Sequence, residues 1–366
     1  MEKTDIKYYF IVNPYSRTGS GLKIWKKIRE YLQSAGIPHQ AFQTKYRGHA
    51  SEIAARLTAP SRADGQPIRI VVLGGDGTLN EVLNGVHISD QVSLGYIPAG
   101  SGGDFSRDMK MPNDPITALK QILDTKSGQE TFLDYGVLTI PAEKIKQSKD
   151  SPGSALSAAK KTEEITAPSD ESCTDILSSK TDNEASGINS RLSRRFLVSA
   201  GTGYDASVCE HINRSRFKNL FNLMHISSIA YTLIGIIQIA ESDSSDGMLI
   251  LEGEMKIPLK KIRFISAHIH KYEGGGYPFA PDADPADGYL DLCVIAGASR
   301  VKFVPILFSS IPGKHTRFKK NVQIYRCRKA EIHTGKPLWI HTDGEVDRKA
   351  ADIQISCETQ RLKFIV

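Results

Sequence analysis

IRIVVLGGDGTLNE, residues 68–81, joins an apolar β-rich run to a glycine-rich turn and then to the start of a helical pattern. The run over 68–73 suits a strand buried on both faces, and a helix is expected over 78–85. Glycines at such a turn let the backbone approach a polyphosphate. The helix amino terminus then offers unpaired N–H groups and a positive dipole end to the anion. Asp76 is misplaced beside phosphate unless it holds Mg²⁺ or orients an attacking hydroxyl, both recurring parts of phosphoryl transfer. A GDG turn on its own also occurs as plain structure.

Outward from this stretch, strand and helix signals alternate: strand 7–12, helix 22–35, strand 39–44, helix 50–57, the strand and helix already quoted, and a strand near 94–97. That βαβαβαβ order implies a parallel sheet covered on both faces, with ligand sites beyond the carboxyl ends of its strands. NPYSRTGSG (13–21) follows the first strand and PAGSGGDFSR (98–107) follows the last, so three anion-friendly loops converge on one ligand. The 13–21 loop is not a Walker A loop, because no GK[ST] follows, and does not fit G-x-G-x-x-G with an acidic residue about 20 positions on.

The chain has 366 residues, 40% apolar and 24% charged, a composition that excludes collagen-like, coiled-coil and fully disordered classes. Its net charge of +6 is far below that of a dedicated nucleic-acid binder, so no nucleic-acid partner is expected. Five scattered cysteines without a C-x-x-C, and an amino-terminal apolar run of only five residues (8–12), lead us to expect a reducing, cytoplasmic setting.

Past residue 133 the pattern turns to β-rich runs at 131–140, 195–200, 248–252, 262–269, 290–295, 322–326 and 338–342, which read as a mostly β second domain. Residues 141–195 interrupt it: 55 residues without Phe, Tyr or Trp, with 11 Ser and 9 basic against 9 acidic side chains, expected as a disordered or loosely ordered insertion. The domain expectation is therefore 1–133 for the nucleotide, 134–350 for the substrate, and 351–366 as a tail returning to the first domain. Residues 219–240 carry no formal charge, yet six polar residues interrupt them, which favours a buried or groove-lining helix over a spanning one. From Arg300 to Ala330 there are nine Lys or Arg and no Asp or Glu, a window that reads either as a solvated face or as an attraction to anionic head groups worth about 1 kcal/mol per basic residue.

Taken together, NPYSRTGSG (13–21), Thr44 with RGHA (47–50), GGDGTLNEVLNG (74–85), IPAGSGGDF (97–105), PDADPADGYLD (281–291) and HTDGE (341–345) resemble the diacylglycerol kinase catalytic-domain family, which includes bacterial lipid kinases and the sphingosine and ceramide kinases. The resemblance implies an amino-terminal α/β nucleotide domain similar to those of NAD kinases and phosphofructokinases. A β-rich, sandwich-like domain that admits the lipid follows it. It also implies an ATP- and Mg²⁺-dependent kinase acting on a lipid hydroxyl such as that of diacylglycerol or a sphingoid or ceramide lipid.

By position, the resemblance assigns Asn13, Ser16, Gly19, Gly21, Thr44, Gly74, Gly75, Asp76, Gly77, Thr78, Gly100, Ser101 and Glu345 to ATP, and Asp104 and Asp205 to the acceptor. Arg214 and Lys218 are assigned a reach toward phosphate. The resemblance makes Asp343 the expected general base, as in bacterial members, and Asp76 the organiser of metal and phosphate, with Asp76 as base, as in sphingosine-type members, left open beside it. Asp343 follows a strand at a turn, where a carboxylate is able to accept a hydrogen bond from a substrate hydroxyl. Asp284, Asp287 and Tyr289 match a structural Mg²⁺ site built from oxygen ligands on a tight loop, against the plain alternative of an acidic hairpin. Ser101 and Gly103 depart from the family's usual Thr and Asn; serine keeps the hydroxyl, but Gly103 removes a side-chain amide from a substrate or nucleotide contact, so the resemblance does not fix the acceptor as diacylglycerol.

The partners expected are a lipid substrate and a membrane surface met transiently through the basic window 300–329, with a homodimer left open. Two rivals stand beside this reading: a soluble-substrate kinase of the NAD-kinase type, and a catalytically silent nucleotide-binding regulator.

Overall fold

The computed structural model describes residues 6–60, 66–100, 103–141, 192–214 and 244–366. Ser101, Lys218, the 219–240 stretch and residues 142–191 of the expected insertion lie outside the described residues, as does the side chain of Arg214.

The first half runs β1 (Lys7–Val12), α1 (Ser16–Gly19), α2 (Gly21–Ser34), β2 (His39–Gln43), α3 (His49–Leu57), β3 (Ile68–Gly74), α4 (Asp76–Gly85), β4 (Val92–Pro98), α5 (Asp104–Asp108), α6 (Pro115–Asp124) and β5 (Thr131–Leu133). Strands β2, β1, β3 and β4 lie side by side in parallel, with Phe10 opposite Val71 and Val71 opposite Gly95. Alternate residues therefore face opposite ways. Phe10, Val12, Val71 and Leu73 pack with Trp25, Ile28 and Leu119 of α2 and α6. Ile11, Ile70 and Val72 pack with Ile53, Leu79 and Val82 of α3 and α4. A strand covered on both faces must be apolar throughout, which is why IVVL shows no alternation. Helix α4 begins at Asp76 rather than at the expected Thr78, so Asp76 sits in its first turn.

The second half is mostly β: β6 (Gly136–Ile140), β7 (Leu192–Phe196), β8 (Ser199–Gly203), α7 (Tyr204–Arg214), β9 (Ser245–Leu251), β10 (Met255–Ile262), β11 (Phe264–His268), β12 (Leu290–Ile295), α8 (Arg300–Ser310), β13 (Val322–Cys327), β14 (Lys329–Thr342) and β15 (Glu345–Cys357). These strands form one antiparallel sheet in the order β13-β12-β11-β8-β14-β15-β6-β7, with β9 also on β14 and β10 on β9. The last strand, β16 (Leu362–Ile365), leaves that sheet and inserts into the first, parallel to β4 and antiparallel to β5.

Several local expectations change. The single run expected at 131–140 is two strands in different sheets, broken at Asp134. Asp134 is fully buried and accepts N–H groups from Gly288 (2.6 Å) and the Arg361 guanidinium (2.9 Å), a polar junction that apolar patterning does not reveal. The final four residues of the expected insertion, 192–195, belong to β7 and pair with β6. Strand β10 escaped notice because it is an edge strand with exposed lysines and a proline, both tolerated only where one side of the ladder is free. Helix α8 lies inside the cationic window and carries Pro305 in its interior, which local propensity reads against a helix; Ser299 caps it by accepting the Lys302 N–H (3.3 Å). Among the described residues no helix is long and apolar enough to cross a membrane.

Phe364 of β16 is fully buried and meets Phe105 edge-on at 5.0 Å. Phe364→Ala should cost about 3–5 kcal/mol in chemical unfolding. A loss below about 1 kcal/mol, the size of a typical surface change, would mean that the returning strand adds little to the first sheet.

Candidate active site

The amino terminus of α4 is the meeting point of the loops. Asn13, just after β1, donates its backbone N–H to the Leu73 carbonyl (2.8 Å) and its Nδ2 to Thr78 Oγ1 (2.9 Å). The 13–21 loop then closes on itself: Ser16 Oγ donates to the Asn13 carbonyl (2.9 Å), and a Cβ on Gly21 would stand 2.2 Å from that same oxygen. Gly19 ends α1 with open space beside it, and Thr44, buried past the end of β2, donates its N–H to the Val12 carbonyl (2.8 Å). On the other side the Ala99 N–H reaches the Gly74 carbonyl (2.8 Å), and a Cβ on Gly100 would lie 3.1 Å from the Gly75 Cα. The cradle is thus walled by bare backbone, which suits a phosphate chain.

Four carboxylates border it. Asp76 accepts the Asp104 N–H (3.1 Å) and the Tyr96 hydroxyl (3.2 Å). Burial first, and the charges of Asp104 and Asp343 after it, push its carboxyl up to about 7. A Cβ on Gly103 would fall 2.9 Å from Asp76 Oδ1 and 2.5 Å from Ser106 Oγ, so the glycine leaves the space that Asp76 needs. Asp104 opens α5 and accepts the Gly275 N–H (2.9 Å) and Arg107 Nη1 (3.0 Å), yet burial still raises its pKa. Glu345 takes Arg47 across the cleft (2.6 Å) and comes close to Gly77.

Asp343 is held differently. Its Oδ2 accepts Asn80 Nδ2 (2.7 Å) and the Leu197 N–H (2.9 Å), and its Oδ1 accepts the N–H groups of Val198 (2.8 Å) and Ser199 (3.1 Å). The residue adopts a left-handed backbone, φ 48°, and donates its own N–H back to the Ser199 carbonyl. Its two oxygens are therefore fully engaged, and they tie α4 of the first domain to the β7–β8 corner and the β14–β15 turn of the second.

In the second domain, Asp205 in the first turn of α7 pairs with His341, which also faces Glu273 Oε1 (3.3 Å). Ser266 Oγ donates to Glu273 Oε2 (2.8 Å), and His268 lies 3.3 Å from the same oxygen. Burial opposes a charged His341, but Asp205 and Glu273 outweigh it and hold the imidazole up at about 9. Burial raises Glu273 and, with repulsion from His341, drives His268 down to about 3. Among the described residues, Asp205, Glu273 and His341 are a group of three with ligand atoms within 4.8 Å of one another.

The remaining expected metal ligands lie apart from these contacts. Asp284 accepts the Ala286 N–H (3.0 Å) and borders a cleft of about 420 Å³ with Arg107, Lys110 and Lys271. Asp287 is paired with Arg326, whose guanidinium also covers the Tyr289 ring at 4.7 Å.

Asn80, Tyr96, Glu273 and His341 take part in the site without having been assigned a role from sequence. Asn80 and His341 stood inside quoted motifs, and their neighbours Glu81 and Thr342 gave no hint which side chain turns inward. Tyr96 and Glu273 carried no local signal.

Residues 7–133 match the family model described as the diacylglycerol kinase catalytic domain, and residues 198–366 match the YegS C-terminal NAD kinase beta sandwich-like domain. YtlR of Bacillus subtilis, provisionally named a lipid kinase, is 23% identical over 339 residues, covering 93% of each chain. A diacylglycerol kinase of Staphylococcus saprophyticus is 22% identical over 324 residues, covering 87% of this chain and 82% of its own. A crystal structure from Bacillus anthracis, provisionally titled a diacylglycerol kinase, superposes with a TM-score of 0.66 at 20% identity over 98% of this chain and 94% of that one, a likeness of fold.

The raised carboxyl of Asp76 sets a pH dependence. Below about pH 4 native and unfolded chains both hold the proton; between about 4 and 7 only the native chain keeps it, so stability falls as pH rises, and above 7 the full penalty stands. Asp76→Asn should therefore melt higher than the parent at pH 8, with a gap that shrinks toward pH 4. A gap of equal size at both values would trace the effect to something other than this carboxyl.

Proposed function

Because the chain belongs to the diacylglycerol kinase catalytic-domain family, whose members are lipid kinases, we propose that it transfers the γ-phosphate of ATP to a hydroxyl of a lipid such as diacylglycerol or a sphingoid or ceramide lipid, working at a membrane surface. The observation that carries this reading is the convergence on one helix end of residues far apart in sequence: Asn13 on Thr78, Asp104 on Asp76, and Asp343 on Asn80.

The backbone-walled cradle of Gly74, Gly75 and Gly100, with Asn13 and Thr78 locked together beside it, suits a triphosphate. Thr44 shapes the same side of the sheet, and Glu345 with Arg47 borders the opening. Asp104, beside the cradle, is a hard oxygen donor, and this donor chemistry would fit Mg²⁺, which leaves Asp76 uncoordinated and able to take a proton. When bound, the cation neutralises charge on the phosphates. The His341–Asp205–Glu273 group stands on the acceptor side, where Asp205 was expected.

Asp343, expected as the base, spends both oxygens on four donors, so its role is to hold the two domains in register. Asp76, with a carboxyl near neutrality, is the better-matched base. It takes the acceptor's hydroxyl proton as the new O–P bond forms and the bond to the leaving diphosphate breaks.

Purified protein with labelled ATP and mixed micelles should yield a labelled phospholipid, and Asp76→Asn should lower kcat by about 10²–10⁴-fold while nucleotide binding survives. If diacylglycerol, sphingoid base, ceramide and a bacterial lipid extract all stay unlabelled, or NAD is phosphorylated instead, the reading fails. Asp343→Asn sets amide hydrogens against donors and should cost about 3 kcal/mol of stability along with activity. A dead Asp343→Asn enzyme with parental melting would return the base role to Asp343.

A further inference from the structure

Helix α8 is apolar on two sides. Its inner side, Phe303 and Ile306, is buried against Tyr204, Phe264 and Phe279, with Tyr204 and Phe303 in edge contact at 4.9 Å. Its outer side carries Val301, Pro305 and Phe308 at helical spacing, followed by Ile311 in the turn beyond it. Val301 is 82% exposed, Phe308 45% and Ile311 50%, and Phe318 further on is 37% exposed. A helix apolar all round is normally buried. This one is instead flanked by exposed Arg300, Lys302, Arg317, Lys319 and Lys320, in a window without a single Asp or Glu.

We propose that this outer face docks the protein on an anionic bilayer, with Val301, Phe308 and Ile311 set among the head groups and the surrounding lysines and arginines paired with lipid phosphates. Apolar tips inside a ring of cations match the layering of an anionic membrane, which is apolar within and negative at its rim. A second copy of the chain fits poorly, because a two-fold contact through this face would press like charges together. The face is also joined to the candidate site: Tyr204, packed on the inner side of α8, begins the helix whose next residue, Asp205, meets His341. A lipid leaving the bilayer at α8 is therefore one helix away from the acceptor group. This inference rests on the proposed lipid acceptor for its purpose, and its test does not depend on turnover.

The test is flotation of the full chain with vesicles of phosphatidylcholine alone and of phosphatidylcholine mixed equally with phosphatidylglycerol. The parent should float only with the anionic vesicles, less so as salt rises. Val301→Asp with Phe308→Asp should lower partitioning roughly tenfold or more, and Lys319→Glu with Lys320→Glu should lower it and flatten the salt dependence. Met255→Asp, at an exposed apolar residue on β10, should float as the parent does. Parental melting of each variant excludes misfolding. A parent that ignores anionic vesicles, or α8 variants that bind like it, would overturn the proposal. So would a dimer in sedimentation velocity that Val301→Asp with Phe308→Asp dissolves while vesicle binding is absent. Lost flotation with a working kinase in detergent micelles strikes only the docking face; firm flotation without kinase activity strikes only the proposed function.

Discussion

Asp343 is the fixed point of this molecule. A carboxylate that accepts one side-chain amide and three consecutive backbone N–H groups has no freedom left, and its partners come from both halves of the chain. Asn80 brings α4, residues 197–199 bring the corner between β7 and β8, and the left-handed turn at Asp343 brings the end of β14. Arg195 reinforces the joint by donating to the Leu83 and Val86 carbonyls at the other end of α4. The helix that carries Asp76 is thereby clamped at its middle and its carboxyl end by the second domain. The glycine-walled cradle and the Asp205–Glu273–His341 pocket are held in one orientation by hydrogen bonds to charge, about twice as strong as neutral ones.

Around this clamp the protein gathers more carboxylates than stability alone would favour. Asp76 and Asp104 repel each other in a half-buried cleft, and Asp205 and Glu273 share a dry pocket made tolerable by His341. Such crowding is characteristic of a site kept ready for a cation, a phosphate or a proton. The two groups differ in how the tension is relieved. Beside Asp205 an imidazolium is built in; among the described residues no cationic side chain is hydrogen-bonded to Asp76, and Arg107 pairs with Asp104 instead.

Much of this was legible in advance. The strands of the first sheet are apolar without alternation because helices cover both faces, and the glycine loops sit at their carboxyl ends, so the α/β half and its cradle follow from local pattern. The second half was readable as β but not in detail. A run such as 131–140 looks continuous because period and propensity are blind to a buried aspartate that breaks it, and β10 looks like a loop because an edge strand is free to be polar. In the site, Asp76, Asp104 and Asp343 stood out through their motifs, whereas Glu273 and Tyr96 did not, since nothing near them in sequence reports what lies across the sheet.

The chain by itself determined which chemistry is available: glycine-walled loops for an anion, two motif aspartates, a mostly β partner for the nucleotide half, and a stretch dense in cations. These are properties of composition and spacing, and they survive any detail of packing. Only the tertiary structure decided how the work is divided. It filled every lone pair of Asp343 and left Asp76 short of donors in a cleft it shares with a second carboxylate, because hydrogen-bond saturation and burial depend on which backbone groups arrive from elsewhere. It likewise turned the cationic stretch into a face, by burying one side of α8 and leaving the apolar residues of the other side in water.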